Sequence, residues 1–426
     1  MLLPRAYDQA FFEQVVWNAG HGGGFQSGFS SGSFLGLHFS PLLLLPAAAE
    51  LLWPDARVLS LFEAVGLGAC APAAFLLLRD LLPPGRRGTA LAAAIALPLP
   101  FWAALQGAAL SEFHPEVLAL PAVMMATWAG LRGRVGLTAV FALVAITAKE
   151  DQSYPVLLAG LVVFSRGTSR RLGLGLAASA VVWGAVVVGL VMPALRDGAP
   201  SQLSGYYNWL GDPAPSRVAE ALTSPQAWLV FAGMVVSAAG LPLLSPRWLL
   251  GVLPPFGASL LSAHDPQQHL GLHYALPLVF PLLLATASGG RRLLGLDLSF
   301  PAAVVALPAL AVAVLLSPLL NLVGGPARGA FEAGGLARLQ ACTRALPTTA
   351  AVSADDSLAA PLAARHRLSP IVEATPPDWI ALDRAGYQPR YVDAGRRSAV
   401  VAGLPGSGRR LNCDDGRFQL WGPVHE

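Results

Sequence analysis

The sequence predicts an α-helical polytopic membrane protein of about ten transmembrane helices with a small C-terminal extracytoplasmic α/β domain. Three observations predict this fold class. Apolar residues make up 54% of the 426 residues and charged residues only 12%, and the mean hydropathy is +0.55; a soluble domain has roughly 25% charged residues. Long apolar runs follow one another between residues 58 and 322. After Val323 the composition changes to Arg, Asp and Thr mixed with short apolar runs.

Residues 58–322 are predicted to form the transmembrane helical domain, because a spanning helix needs about 20 predominantly apolar residues. Several of the runs are short or interrupted by glycine and proline. We expect spans at Val58–Leu82, Gly88–Leu110, Glu116–Leu131, Val135–Ala148, Tyr154–Ser165, Leu172–Leu195, Trp228–Leu244, Trp248–Ala263, His273–Ser288 and Ser299–Leu322.

The arginines predict the orientation of these spans, since short cytoplasmic loops collect Lys and Arg. Arginines fall in every second connection, at positions 79, 86 and 87, 132 and 134, 166, 170 and 171, 247, and 291 and 292. The alternate connections contain SEFHPE, AKEDQS, the segment around GYYNWLGD, and HDPQQHLGLHY. These connections, which are rich in acids, histidine and tyrosine, are predicted to face outward.

Residues 1–57 are predicted to form the first extracytoplasmic loop, with interfacial helices. The stretch HFSPLLLLPAAAELLWP is apolar, but it contains Glu50 and is too short for a span, which fits an interfacial or re-entrant helix. No signal sequence leads this loop across the membrane. Either a further helix is encoded upstream of Met1, as we expect, or the chain truly starts at Met1 and its tail is translocated.

Residues 323–426 are predicted to form the extracytoplasmic α/β domain. The runs AAVSAD, PDWIALD and RYVDAG indicate strands, and they alternate with helices predicted at Phe331–Ala345 and Ser357–Arg365. Cys342 and Cys413 lie in this segment and would be able to form one disulfide in an oxidising compartment. The alternative is a pair of unrelated buried thiols.

Composition also excludes some classes of function. The net charge of +3 is too small for a nucleic-acid-binding protein. Three cysteines make neither a disulfide scaffold nor a metal framework. No glycine-rich phosphate loop occurs in the inward connections.

Ionisable residues at membrane depth mark candidate functional sites, because they are costly to keep there. In this chain they collect on the predicted outer side, and a one-sided set of carboxylates, imidazoles and tyrosines is typical of a catalytic or binding cleft. The candidates are Asp8, Glu13, His38, Glu112, His114, Glu116, Lys149, Glu150, Asp151, Tyr206, Tyr207, His273 and Tyr274.

Each group also has a purely structural interpretation. Asp8 would cap the helix that follows it, and the acids around His114 would be plain loop residues before a helix that starts near Pro115. Lys149 would complement the dipole at a helix end. The tyrosines would form an interfacial aromatic belt. The convergence of several connections on one face favours the functional interpretation.

Seven stretches resemble, in order and over nearly the whole chain, a family of uncharacterised bacterial and archaeal membrane proteins, domain of unknown function 2079 (DUF2079). They are YDQAFFEQVVWNAGHGGGF, LHFSPLLLLPAAAELLWP, SEFHPEVLALP, AKEDQS, YYNWLGD, HYALPLVFPLL and AVSADDSLAAPLAARHRL. Family members usually begin one transmembrane helix earlier. Many relatives have a second aspartate where this chain has Glu13.

That family resembles the C-type (GT-C) glycosyltransferase superfamily, whose members take a sugar from a polyprenyl-phosphate donor at the outer face of the membrane. The resemblance implies a GT-C-like fold, a polyprenyl-phosphate sugar and membrane lipid as partners, and a catalytic role for Asp8. Asp8 occupies the position of the acid that superfamily members have just past their first helix. The resemblance does not name the sugar or the acceptor.

The resulting hypothesis is a membrane glycosyltransferase of the cell envelope. Asp8 would accept or align the proton of the acceptor hydroxyl. Lys149 would hold the phosphate, with His273 and His114 as secondary candidates. The remaining candidates would bind the sugar or border the lipid tail, and an optional divalent cation would be held by carboxylates such as Glu13 and Glu116.

Two alternatives belong to other classes of function. A transporter or flippase of lipid-linked intermediates would use the same helices, although ionisable groups at the middle of discontinuous helices and an internal repeat, both typical of transporters, are missing from this sequence. A non-enzymatic membrane scaffold would use mainly the segment after Val323.

Overall fold

The computed structural model describes residues 7–30, 32–196, 198–211, 215–296, 334–371, 378–384 and 394–424, together with helical positions 310, 311 and 314. The chain divides into two compact units. The first unit contains Met1–Gly36, Leu43–Leu61 and Asn321–Glu426, and the second contains Leu37–Leu42 and Phe62–Leu320.

The N-terminal part of the first unit contains two helices, α1 (Tyr7–Gly20) and α2 (Leu44–Glu50). Short turns between them include Phe34–Leu37 and Pro41–Leu43. The helix α2 is shorter than a membrane span, and the interfacial position of the segment around Glu50 stays a prediction.

The second unit is almost entirely helical. Its longer helices are α3 (Arg57–Leu81, which begins in the first unit), α4 (Arg86–Ala96), α5 (Ala103–Leu110), α6 (Glu116–Leu131), α7 (Val135–Ile146), α8 (Ser153–Arg166), α9 (Arg170–Val186), α10 (Pro215–Leu222), α11 (Pro225–Ser237), α12 (Leu253–Leu260) and α13 (Leu276–Gly295). The helix α9 continues through a π-helical turn, Val187–Val191, into Met192–Leu195. Shorter helical turns occupy Leu99–Phe101, Glu150–Gln152, Gln202–Tyr206, Asn208–Gly211, Leu241–Leu244, Pro246–Leu249, Asp265–Gln268 and Leu272–Ala275.

Within the described residues, four helical stretches are long and apolar enough to cross a membrane: Arg57–Leu81, Arg86–Leu110, Arg170–Leu195 and Asp265–Gly295. Glu116–Leu131 and Val135–Ile146 are shorter apolar helices. The predicted count of about ten spans is therefore not confirmed. The predicted span Ser299–Leu322 lies largely outside the described residues.

One difference from the predicted spans has a clear backbone cause. The apolar run Trp228–Leu244 was expected to be one helix, but α11 ends at Ser237. Ala239 and Gly240 then adopt left-handed conformations with φ of 55° and 68°. A left-handed pair terminates an α-helix, so apolarity alone overestimates the length of this element.

The C-terminal part of the first unit is the small α/β fold predicted from the sequence. Its helices are α14 (Gly335–Cys342), α15 (Asp356–Leu362) and α16 (Ala394–Gly403). Its strands are β1 (Val352–Ala354), β2 (Leu368–Pro370), β3 (Trp379–Asp383), β4 (Arg409–Asp414) and β5 (Phe418–Pro423). The predicted strand RYVDAG lies mostly outside the described residues, and its last two positions begin α16.

The sheet has the order β2-β1-β3-β5-β4. The first three strands are parallel, and β5 pairs antiparallel with both β3 and β4. A disulfide joins Cys342 at the end of α14 to Cys413 in β4. Of the two interpretations that the sequence left open for these cysteines, the bridge is the one found.

The N-terminal helix α1 packs within the first unit against α15 and the residues after it. Gln14 donates to the carbonyl of Arg365, and Asn18 donates to that of His366. A Cβ atom at Gly28 would lie 2.1 Å from the carbonyl oxygen of Leu368, so only glycine permits this approach. These contacts fix the helix that carries Asp8 to the α/β fold.

Candidate functional site

Asp8 lies in the first turn of α1 and is half-buried. Because α1 begins at Tyr7, Asp8 is inside the helix and not the residue before it. A carboxylate in this turn is stabilised by the positive end of the helix dipole. The next residue, Gln9, donates to the carbonyl of Ala56 at 2.8 Å, which ties the start of α1 to the end of the first loop.

Glu13 and Glu50 form a buried carboxyl pair between α1 and α2. Glu13 is 0% exposed and Glu50 is 1% exposed. Burial, and then the neighbouring carboxyl group of Glu50, raises the pKa of Glu13 well above its ordinary value. Burial also raises the pKa of Glu50. Glu13 was predicted to bind substrate, but its described surroundings are another carboxyl group and not an open cleft.

In the second unit, Lys149 lies at the centre of a cluster of acids. Its Nζ atom is 2.5 Å from Oε1 of Glu116 and 3.7 Å from Oδ2 of Asp151. Burial by itself lowers the pKa of Lys149, but the neighbouring carboxylates, Glu116 first, raise it well above its ordinary value. The lysine is therefore held charged, with most of its field already balanced by acids.

Glu150, the residue after Lys149, binds the segment that contains His38 and Phe39. Its Oε1 accepts from Nδ1 of His38 at 3.0 Å, and its Oε2 accepts from the backbone N–H of Phe39 at 2.9 Å. Burial alone would raise the pKa of Glu150, but His38 and then Lys149 lower it to about 2. These bonds explain how residues that are distant in sequence meet at one place.

Two histidines from different connections stack beside this cluster. The ring centroids of His114 and His273 are 3.6 Å apart, and both residues are buried. Nδ1 of His114 donates to the carbonyl of Glu112 at 3.1 Å, because a carbonyl oxygen can only accept. Within the described part of the chain, Nδ1 of His273 and Oε2 of Glu116 are buried without a hydrogen-bond partner. Such atoms are uncommon in native proteins and mark places where a ligand or water binds.

The two loops that hold this stack are strained. Glu112 has φ of 69°, and both Leu270 and Leu272 have φ of 54°. A Cβ atom at Gly107 would lie 2.4 Å from the carbonyl oxygen of Leu272, so the second loop packs directly on the backbone of α5. Left-handed conformations of non-glycine residues cost about 1–3 kcal/mol and are concentrated at functional sites.

The aromatic contacts continue from the histidine stack to the predicted tyrosines. Tyr274 lies 4.2 Å from His273 between ring centroids, and 5.5 Å from His264. His264 in turn stacks on Tyr206 at 5.0 Å. The neighbouring hydroxyl of Tyr207 donates to the carbonyl of Ala258 at 3.0 Å. Three outward connections thus form one continuous series of rings.

The second unit therefore brings together most of the residues predicted from its outward connections. These are His38, Glu112, His114, Glu116, Lys149, Glu150, Asp151, Tyr206, Tyr207, His273 and Tyr274. Asp8 and Glu13 lie in the first unit, and their convergence with this cluster stays a prediction. Sequence reasoning missed Glu50 as a site residue, although an acid in an apolar interfacial helix was the signal for it.

The described side chains do not form a recognisable metal site. Among the described histidines, cysteines, aspartates and glutamates, no group of three or more is arranged to hold a metal ion. Ca²⁺ and Mg²⁺ need about six or more oxygen ligands, part of them water. The optional divalent cation thus gains no support from the described side chains.

Comparisons with known proteins agree with this architecture. The family model described as "Predicted membrane protein (DUF2079)" matches residues 1–399. The crystal structure of ArnT from Cupriavidus metallidurans bound to undecaprenyl phosphate matches with a TM-score of 0.58 and 12% sequence identity, over 98% of this chain and 94% of the ArnT chain. At this identity the match shows a shared fold alone. No curated protein sequence matches the chain.

Proposed function

Since the chain belongs to the DUF2079 family of predicted membrane proteins, and is thus an integral membrane protein, we propose that it transfers a sugar from a polyprenyl-phosphate donor to an acceptor at the outer face of the membrane. One observation carries the proposal: the fold matches that of ArnT over nearly the full length of both chains, and the ArnT crystal contained undecaprenyl phosphate.

In the proposed reaction, the oxygen of an acceptor hydroxyl attacks the anomeric carbon of the donor sugar. The bond from that carbon to the phosphate oxygen breaks, and polyprenyl phosphate leaves with the electron pair. Asp8 accepts the proton of the hydroxyl as general base, a role that typically contributes 10²–10⁴-fold to rate, as an order of magnitude. Its half-buried position on a helix that is anchored to the α/β fold supports this assignment.

The cluster around Lys149 is the proposed site for the phosphate. A charge-assisted bond from Nζ would stabilise the negative charge that develops on the leaving phosphate. The buried, unpartnered Nδ1 of His273 and Oε2 of Glu116 give a ligand further groups to bind. The ion pair with Glu116 reduces the free energy gained on phosphate binding, because Lys149 must share its charge between the phosphate and that carboxylate or release the carboxylate.

The tyrosines and the acids Glu112, Glu150 and Asp151 are proposed to bind the sugar. Stacked rings such as Tyr206 on His264 suit the apolar face of a sugar, and carboxylates suit its hydroxyl groups. The apolar helices nearby in the second unit would admit the prenyl chain from the side. No soluble nucleotide-sugar site is required.

We propose that the cluster and residues 323–426 face the outside of a bacterial plasma membrane. Arginines recur in the alternate connections between the spans, whereas the connections that carry the cluster are poor in arginine. The disulfide between Cys342 and Cys413 fits an oxidising compartment. The transmembrane part would then be residues 58–322, with residues 1–57 as the first outer loop.

The test replaces Asp8 in the full chain, purified in lipid nanodiscs. Asp8→Asn keeps the size of the side chain and removes the base, so consumption of polyprenyl-phosphate sugars should fall by at least about 10²-fold. The matched control is Asp265→Asn, an outward aspartate whose side chain is 83% exposed, and it should retain activity. Unchanged turnover in Asp8→Asn, with altered movement of lipid-linked sugar between leaflets, would favour a flippase. If Asp8→Asn changes neither turnover nor the movement of lipid-linked sugar, the result would favour a scaffold.

A further inference from the structure

The carboxyl pair of Glu13 and Glu50 is the most unusual polar feature of the first unit. Both side chains are completely or almost completely buried, and each carboxyl group is close enough to the other to affect its pKa. None of their four carboxyl oxygens has a hydrogen-bond partner among the residues that the structure describes. Two carboxylates cannot both be ionised in such a place, so at least one proton must be shared between them.

The charged groups around the pair do not neutralise two ionised carboxylates in place of the proton. The titratable groups facing it are His21 at the end of α1, which is exposed, and Asp55 after α2. Asp55 is itself paired with Arg57, whose Nη2 atom lies 2.6 Å from Oδ2 of Asp55.

On the side of α15, Arg365 and His366 are committed elsewhere. Arg365 donates to the carbonyl of Leu362, and His366 bonds to Asn18. No cation from these elements is bonded to either carboxyl in the described residues. A divalent cation is an equally poor substitute, because it needs about six oxygen ligands and the pair supplies two carboxyls that water does not reach.

The pair also lies at a tight helix contact. A Cβ atom at Gly20 would be 3.3 Å from the carbonyl oxygen of Ala47, so α1 and α2 pack closely along this side. Glu13 lies five residues after Asp8 on the same helix, a rise of about 7.5 Å. Any change in the distance between α1 and α2 at the pair is therefore carried to Asp8.

We propose that Glu50 is a positioning residue, which holds α1 and so the carboxylate of Asp8 through a carboxyl–carboxyl bond to Glu13 that contains one shared proton. The inference rests on the proposed function for Asp8. Loss of the proton places two negative charges against each other in a buried site, and their repulsion moves α1 away from α2.

The pH dependence follows from the direction of both pKa shifts. The folded pKa values of Glu13 and Glu50 are raised, so the stabilising effect of the pair is fully present below the unfolded value of about 4.3. It is lost as the pH rises through the folded values. The enzyme should therefore lose kcat on the alkaline side when the pair ionises.

The experiment compares three variants of the full chain with the wild type. Glu50→Gln donates an amide hydrogen to Glu13 and needs no shared proton, so it should keep kcat near the wild-type value and abolish the alkaline decline. Glu50→Leu cannot hydrogen-bond, and kcat should fall about tenfold to a hundredfold, as expected for a displacement of about 1 Å, with KM for the donor unchanged. The matched control is Glu220→Gln, an exposed glutamate on α10, which should behave as the wild type.

Two readouts do not depend on activity. Infrared difference spectra between the wild type and Glu50→Gln should contain the carbonyl band of a protonated carboxyl group at neutral pH. Hydrogen exchange of residues 7–20 should accelerate in Glu50→Leu and in the wild type at alkaline pH, and should stay slow in Glu50→Gln.

Two results would overturn the inference: no carboxyl band at neutral pH, or a stabilisation of the wild type by added Ca²⁺ that Glu50→Gln lacks, which would indicate a bridging cation. An active Asp8→Asn variant alone would instead remove the proposed function, while the infrared and exchange results would still report on the pair.

Discussion

Nζ of Lys149 lies 2.5 Å from Oε1 of Glu116, so the only lysine of the chain is paired before any substrate binds. Asp151 adds a second carboxylate at 3.7 Å. A cation that is balanced in this way binds an incoming phosphate by exchange of partners and not by simple attraction. This arrangement lets activity and stability be separated by mutation.

Replacing Lys149 should therefore have two distinct effects. In Lys149→Met, donor kcat/KM should fall about 10-fold to 150-fold, the equivalent of a charged hydrogen bond of about 1.5–3 kcal/mol. The unfolding free energy should also fall by about 3–5 kcal/mol, because Glu116 is left buried and unpaired. Activity assays and chemical unfolding in detergent measure the two effects.

The double variant Lys149→Met with Glu116→Gln provides the control. It removes both charges, so it should regain most of the stability and none of the activity. Recovery of activity in the double variant would mean that Lys149 only neutralises Glu116.

Replacement of His273 is expected to increase stability and reduce activity. His273→Phe keeps a ring against His114 and removes the buried Nδ1 that has no partner among described residues. An unsatisfied buried polar atom costs about 1–3 kcal/mol, so the midpoint of thermal unfolding should rise while turnover falls. His273→Ala also loses the stack, and its midpoint should be lower than that of His273→Phe. Equal turnover in wild type and His273→Phe would exclude a ligand contact by this ring.

The hydrogen bonds of Glu150 predict that the stability difference between the wild type and Glu150→Gln becomes smaller at acidic pH. Its pKa is lowered to about 2, so its contribution to stability is present above the unfolded value of about 4.3 and is lost as the pH falls toward the folded value. Glu150→Gln should be less stable than the wild type at neutral pH. The gap between the two unfolding midpoints should narrow between about pH 5 and about pH 3. A gap that is constant across this range would contradict the assigned bonds to His38 and Phe39.

The disulfide should stabilise the first unit without entering the reaction. Cys342 and Cys413 are 71 residues apart in sequence, and a loop of this length predicts a loss of about 4 kcal/mol when the bond is removed. The double variant Cys342→Ala with Cys413→Ala should unfold at lower temperature, and kcat well below that temperature should match the wild type. Exposure of the wild type to a reducing agent should reproduce the shift. The variant Cys70→Ala, which removes the buried free thiol, is the control.

Several elements could be predicted from the sequence with useful accuracy. The helix predicted at Glu116–Leu131 has those bounds in the structure, because a proline before it and a glycine after it limit the apolar run. The strands around Val352 and Trp379 were marked by short apolar runs between turn residues. Apolar length failed where glycine or a left-handed residue breaks a run, as at Gly240.

Composition by itself determined that this chain is a membrane protein, because a bilayer excludes charge from apolar segments wherever they fold. The sequence also determined that most acids and histidines between the apolar runs lie in the connections that alternate with the arginine-rich ones. Only the tertiary structure decided which of these residues are partners. The ion pair of Lys149 with Glu116 spans 33 positions, the bond of His38 with Glu150 spans 112, and Glu13 meets Glu50 across two helices. Such pairings depend on how helices pack in three dimensions, and no local periodicity in the sequence encodes that packing.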